Sequence, residues 1–163
     1  MKKISIICLI VFIIDRITKI LITSYFQLNV RNVVIDNFFY ITNCHNKGAA
    51  FSLFTGNVIF LIFITIAVLY LIYKMVKRKD NISTLSTLSY GLLLGGILGN
   101  LFDRVFLGYV IDFFDFIIFK MDFAVFNVAD IAIVCGAIML LLFEGSGISE
   151  RRKINSDWYW WKY

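Results

Sequence analysis

Four runs of about 20 mostly apolar residues each, Ile4 to Ile22, Val58 to Val76, Ile82 to Phe102 and Ala124 to Phe143, leave this chain of 163 residues little else to fold. Such a run crosses the hydrocarbon core of a bilayer as a helix. A soluble domain of this size would not combine 60% hydrophobic residues with a mean hydropathy of +0.83. The chain is therefore expected to be a mainly α membrane protein, a single domain over residues 1–163 built as a four-transmembrane-helix bundle. The first run follows Lys2 and Lys3 as a secretory signal would. No small-x-small cleavage site follows it, and Asp15, Arg16 and Lys19 interrupt it, so it reads as a retained helix.

Basic residues orient the bundle. Lys2 and Lys3, Lys74 to Lys79, and Arg151 to Lys153 with Lys162 fall on one side of a four-span arrangement, and only Arg31, Lys47 and Lys120 on the other. Both termini are then cytoplasmic by the positive-inside rule. The net charge of +5 is anchoring charge, too short and scattered for a nucleic-acid patch. Two external segments remain, about 25–57 and 105–123. In the first, Val33-Val34-Ile35 and Phe38 to Ile41 flank Asp36-Asn37, a strand-turn-strand pattern that predicts a small extracytoplasmic β-sheet on the outer membrane surface. The second is aromatic, carries Asp112, Asp115 and Asp122, and is too polar for a fifth span; it reads as an interfacial segment. The charged tail 146–163 ends in Trp158 to Tyr163, which suits an accessory anchor at the cytoplasmic interface.

An ionisable side chain near the centre of such a run costs about 2.5 to 3.5 kcal/mol and needs a partner or a task. Asp15 and Lys19 stand four apart and suit an intrahelical ion pair. Gly91, Gly95 and Gly99 form a small-residue face for helix packing. Beside it Gly96, Asn100 and Arg104 recur with the same spacing, so an amide and a guanidinium line up toward the outer end of the helix. The plainer alternative has Arg104 snorkelling or pairing with Asp103. Asn127 and Asp130 share a face one turn inside the fourth run. Asp130 alone could be a helix-end residue drawn to the N-terminal dipole. With Asp112 the reading changes, because the chain between the third and fourth runs returns to the same membrane face.

Two neighbouring carboxylates do not both ionise comfortably and share a proton. The ionised member can activate a water while the protonated one polarises a carbonyl and later protonates the leaving amine. That chemistry hydrolyses a peptide bond with no cofactor and no metal. Rival chemistries lack their residues: His45 is the single histidine and sits in an external loop, and Cys8, Cys44 and Cys135 are isolated apolar fillers. The glycine helix holds no serine between Gly95 and Asn100, and no phosphate-binding loop is present. Asp115, three residues after Asp112, could replace it in the pair if that segment were helical; otherwise its place is a supporting one. Asp36 and Asp122 read as solvated loop residues.

Five blocks in order carry a resemblance: Asp15-Arg16-Ile17-Thr18-Lys19, Asn46-Lys47-Gly48-Ala49-Ala50-Phe51, Gly95 to Asn100 through Asp103-Arg104, Val110-Ile111-Asp112-Phe113, and Phe126-Asn127-Val128-Ala129-Asp130. In these the chain resembles the lipoprotein signal peptidases, or signal peptidase II. The resemblance implies a multi-pass aspartyl endopeptidase of the bacterial plasma membrane, its active site at the extracytoplasmic face. It would cleave a lipid-modified prolipoprotein, surrounded by membrane lipids, on the N-terminal side of the diacylglyceryl cysteine. It makes Asp112 and Asp130 the catalytic pair and Asn46, Gly48, Asn100, Arg104, Asn127, Asp15 and Lys19 the residues around it. The rival is a small ion or proton transporter, which would carry polar residues on through the membrane; here they cluster at one end.

Overall fold

Each of the four apolar runs forms a helix. The computed structural model describes residues 1–48, 56–79 and 81–159, with side chains through residue 143. Among these residues four helices, α1 (Lys2–Tyr25), α2 (Val58–Lys77), α3 (Thr84–Phe106) and α4 (Val128–Tyr159), frame four strands, β1 (Asn32–Ile35), β2 (Phe39–Asn46), β3 (Val110–Ile118) and β4 (Met121–Asp122). The strands form one antiparallel sheet in the order β1-β2-β3-β4.

The helix α3 is the centre of the bundle because its glycines let two neighbours approach. A Cβ on Gly91 would lie 2.5 Å from Ile7, one on Gly95 2.7 Å from Val11, and one on Gly99 2.5 Å from the Asp15 carboxylate. Those three glycines therefore seat α1, the small-residue packing the spacing predicts. On the adjoining face Gly96 meets the Ala129 carbonyl, and Gly136 of α4 lies where a Cβ would come 2.7 Å from the Ser89 carbonyl, so α4 packs on the other side. The helix α2 leans on the same core through Ile72 and Val76, which pack with Ile4, Tyr90 and Ile97.

Burial runs opposite to that of a soluble protein. Asp15, Lys19 and Asp103 have no exposed surface, while Ile6, Ile13, Ile17 and Ile20 on the outside of α1 are 45–61% exposed. Such an apolar exterior is stable only in an apolar solvent. Both α2 (20 residues) and α3 (23 residues) are long and apolar enough to cross a membrane. The 24 residues of α1 span about 36 Å at 1.5 Å per residue, with Asp15 and Lys19 turned inward.

Two expectations change. The segment 105–123 contains a nine-residue strand, β3, whose partner is β2, and a hairpin into β4. Its backbone donors and acceptors are satisfied by the ladder, which frees it to sit deep against the bundle. His45 lies on β2, not in a loop, with its ring stacked on Tyr109 at 3.8 Å; burial and Lys47 hold its imidazole below the usual histidine range. The helix α4 continues through most of the expected tail, to Tyr159. Residues Ala49-Ala50-Phe51 and Trp160 to Tyr163 lie outside the described residues.

Candidate active site

The site is assembled at the start of α4. Asn127 precedes the helix and Asp130 lies in its first turn, and the two cap each other: Asp130 N donates to Asn127 Oδ1 at 2.9 Å, and Asn127 N donates to Asp130 Oδ2 at 3.1 Å. This reciprocal capping box satisfies main-chain donors that the first turn leaves open. A third, Ala129 N, donates to Asp15 Oδ1 of α1 at 3.1 Å. One end of α4 is thereby locked to its own side chains and to α1.

Asn127 also reaches the other carboxylate. Its Nδ2 donates to Asp112 Oδ1 at 2.6 Å, with longer bonds to Asn100 Oδ1 at 3.2 Å and to the Ile111 carbonyl at 3.3 Å. Asp112 Oδ2 accepts from Asn46 Nδ2 at 2.9 Å, and Asp130 Oδ1 accepts from Asn100 Nδ2 at 2.8 Å. A single asparagine thus bridges the two carboxylates, and each has a second amide behind it. Strand β3 delivers Asp112 because it pairs with β2, setting Asp112 opposite Cys44. Further along β2, Asn46 Oδ1 accepts from Gly48 N at 2.9 Å, and Arg104 donates to the Gly48 carbonyl at 3.1 Å. Arg104 therefore does not pair with Asp103.

Asp115 is not part of this group. Three residues along a strand reverses the side-chain direction, and Asp115 meets Arg31, whose Nε donates to its Oδ2 at 2.6 Å. Arg31 also bonds Asp122 Oδ1 at 2.8 Å; Asp122 is solvated, as expected, but lies on β4 and not in a loop. Asp36 stays in its turn, bonded to Asn37.

Beneath the site lies a charge cluster of which the sequence suggested only half. Lys19 Nζ sits 2.9 Å from Asp15 Oδ2, 2.8 Å from Asp103 Oδ2 and 3.0 Å from Asn100 Oδ1, fully buried. Arg16 pairs with Asp103 Oδ1 at 2.7 Å and lies over the Phe102 ring. The spacing of Asp15 and Lys19 foretells their pair. Nothing in the spacing foretells Asp103 and Arg16, which meet across two helices.

Asp112 and Asp130 line one cavity of about 570 Å³ with Asn46, Asn100 and Arg104, and its remaining wall is largely apolar, from Phe123 to Phe126 and along Ile131, Val134 and Cys135. Burial of Asp112, followed by the nearby charge of Asp130, pushes its carboxyl up to about 7 against the opposing bonds from Asn46 and Asn127 and the charge of Lys19. No group of three or more His, Cys, Asp or Glu side chains among the described residues is arranged to hold a metal ion.

Two carboxylates that share one asparagine and one largely apolar cavity fit the class of membrane aspartic peptidases. The signal peptidase (SPase) II family matches residues 7–144, and the chain belongs to that family. It is similar to a lipoprotein signal peptidase of Caldanaerobacter subterraneus subsp. tengcongensis, 44% identical over 87% of this chain and 97% of the relative. Another, from Halothermothrix orenii, is 39% identical over 85% of this chain and 92% of the relative. Among solved structures, a bacterial membrane enzyme superposes with a TM-score of 0.83 at 31% identity, covering 92% of each chain. A second reaches 0.77 at 32% identity over 87% of this chain and 92% of its own. The chain is accordingly a membrane peptidase that processes lipoprotein signal peptides.

Proposed function

We propose that this peptidase cleaves prolipoproteins just before their diacylglyceryl-modified cysteine, with water activated between Asp112 and Asp130. The observation that carries this reading is the Asn127 bridge, which gives two carboxylates one cavity and one shared neighbour. Asp130 is the base. Its oxygens accept from Asn100 Nδ2 and Asn127 N at a helix N-terminus, where negative charge is favoured. Asp112 is the acid, since its raised carboxyl keeps a proton near neutral pH. Asp130 takes a proton from water as the water oxygen bonds to the scissile carbon, and Asp112 donates its proton to the carbonyl oxygen. Collapse of that adduct breaks the C–N bond, the proton on Asp130 passes to the leaving amine, and the hydroxyl proton returns to Asp112. Arg104 and Asn46, with donors at the cavity wall, hold substrate carbonyls in line.

In this reading all four helices span the membrane, both termini are cytoplasmic, and the sheet covers the site at the outer face. The basic residues at the start of α1 and the end of α2 support that orientation. The exposed Val134 and Cys135 along α4 give acyl chains an apolar wall continuous with the bilayer. Purified enzyme in lipid is expected to cleave a lipidated precursor and leave its unlipidated counterpart nearly intact. Equal rates on both would remove the lipid requirement; cleavage of neither would return the carboxylates to the transporter reading.

A further inference from the structure

Among the described residues, the chain meets its need for left-handed backbone with the expected residues at every place but one. Positive φ falls on Asn29, Asn37, Gly56 and Gly108, residue types that adopt it readily. The exception is the two-residue turn between β3 and β4, where Ile118 pairs with Met121 and the loop is Phe119-Lys120. Both loop residues have positive φ, 52° and 62°, as a type I′ hairpin demands. Asn-Gly is the usual pair there. A phenylalanine in that conformation is strained, and it gains nothing from packing, since Phe119 is 90% exposed.

Neighbouring exposure extends the feature. Met121 is 67% and Phe123 46% exposed, and Phe123 reaches the wall of the cavity that holds Asp112 and Asp130. Alternation through β4 and into Phe123, whose N donates to the Phe116 carbonyl at 2.9 Å, puts Met121 and Phe123 on one side and turns Asp122 to the other, where Arg31 bonds it. The result is an apolar ridge from the hairpin tip to the cavity, with an ammonium beside the outermost ring. Aromatic rings flanked by lysine are the residues that settle at the border of headgroups and acyl chains.

We propose that the Phe119-Lys120 tip is a lipid-inserting wedge: Phe119 enters the acyl region of the outer leaflet, Lys120 reaches the phosphates, and the ridge behind them fastens the sheet to the bilayer beside the cavity. The wedge rests on the outer-face orientation proposed above and deepens it, by making the leaflet itself a binding partner of the site's rim. The strain at Phe119 is retained because the ring works outside the protein.

Phe119→Asn separates the two demands, because asparagine relieves the backbone and removes the ring. The variant is expected to unfold at the same or a higher temperature than the parent. In bilayer nanodiscs its KM for a lipidated precursor should rise about tenfold, roughly what losing one ring's burial corresponds to, with kcat little changed. In detergent, where no leaflet exists, the difference should vanish. An unchanged KM in nanodiscs overturns the proposal. Insertion is read independently of catalysis with an environment-sensitive fluorophore on Phe119→Cys, in a chain whose Cys8, Cys44 and Cys135 are replaced by alanine. Quenching by brominated acyl chains and protection from aqueous iodide are expected; the reverse pattern overturns the wedge even if the enzyme cleaves normally. Acyl-chain quenching in a protein that cleaves no precursor leaves the wedge standing and removes the proposed substrate.

Discussion

Asp112→Asn and Asp130→Asn are each expected to lower the cleavage rate by on the order of 10³-fold or more, while the purified variants still fold. The amide keeps the carboxylate's shape and one acceptor oxygen. At residue 130 that oxygen can continue to cap Asn127 N, and at residue 112 it can still accept from Asn127 Nδ2. Lost is the ability to take or give a proton at the reacting atoms. Asp115→Asn should leave the rate within a few-fold of the parent, because Asp115 faces Arg31 and not the cavity. Initial rates on a lipidated precursor, beside thermal unfolding of each variant, check all three. A Asp130→Asn variant that cleaves at the parental rate would remove that residue from the mechanism.

The same site predicts a pH dependence whose sign follows from Asp112. Its folded carboxyl is raised to about 7 from an ordinary 3.8, by burial first and the Asp130 charge second. Below about 4 the side chain is protonated whether folded or unfolded and makes no difference to stability. Between 4 and 7 only the folded protein keeps the proton, so stability falls as pH rises through that window, by about 1.4 kcal/mol per pH unit at most. Above 7 the loss is complete and the dyad has also lost its acid. The rate should therefore decline on the alkaline side of about 7, and the melting temperature should be lower at pH 8 than at pH 5. In Asp112→Asn that difference should shrink. Melting curves at the two pH values measure it, and an unchanged slope in the variant would mean that another group carries the dependence.

What could be read along the chain was whatever depends on one element at a time. The apolar runs, the Gly91-Gly95-Gly99 seat for α1 and the Asp15–Lys19 pair all follow from helical period within a single segment. Asp112 and Asp130 were legible as polar residues at the ends of apolar stretches. Strand β3 was not, because in Val110 to Ile118 the two aspartates fall three apart among apolar residues and break any alternation, and its turn lacks the Asn-Gly signal that marks a hairpin. The pairing of Arg16 with Asp103 depends on how α1 is rotated against α3, which no single-helix pattern records. Nor did sequence reveal that Asn127 serves both carboxylates, since that requires β3 to lie beside the start of α4.

Lys19→Met is expected to do the largest damage of any substitution outside the cavity. The cluster around Lys19 is formally neutral, two cations against Asp15 and Asp103, with Lys19 in contact with both carboxylates. Removing the ammonium strands a negative charge where none of the three side chains has exposed surface. Breaking a buried pair in this way costs about 3–5 kcal/mol, so the melting temperature should fall steeply. A separate loss falls on Asn100. Its Oδ1 accepts from Lys19 Nζ and Asn127 Nδ2, which leaves Nδ2 to donate to Asp130. Without Lys19 the amide loses the stronger of the two bonds that fix its direction, and an inverted amide would turn a carbonyl oxygen toward the base. Charge balance and amide direction come apart in the double variant Lys19→Met/Asp15→Asn. It restores neutrality and retains an acceptor for Ala129 N, so the melting temperature should recover most of its loss. The rate should not, because the lock on Asn100 is still missing. Full recovery of kcat in the double variant would reduce Lys19 to a structural counter-ion; recovery of stability with kcat still depressed identifies it as the residue that aims Asn100 at Asp130.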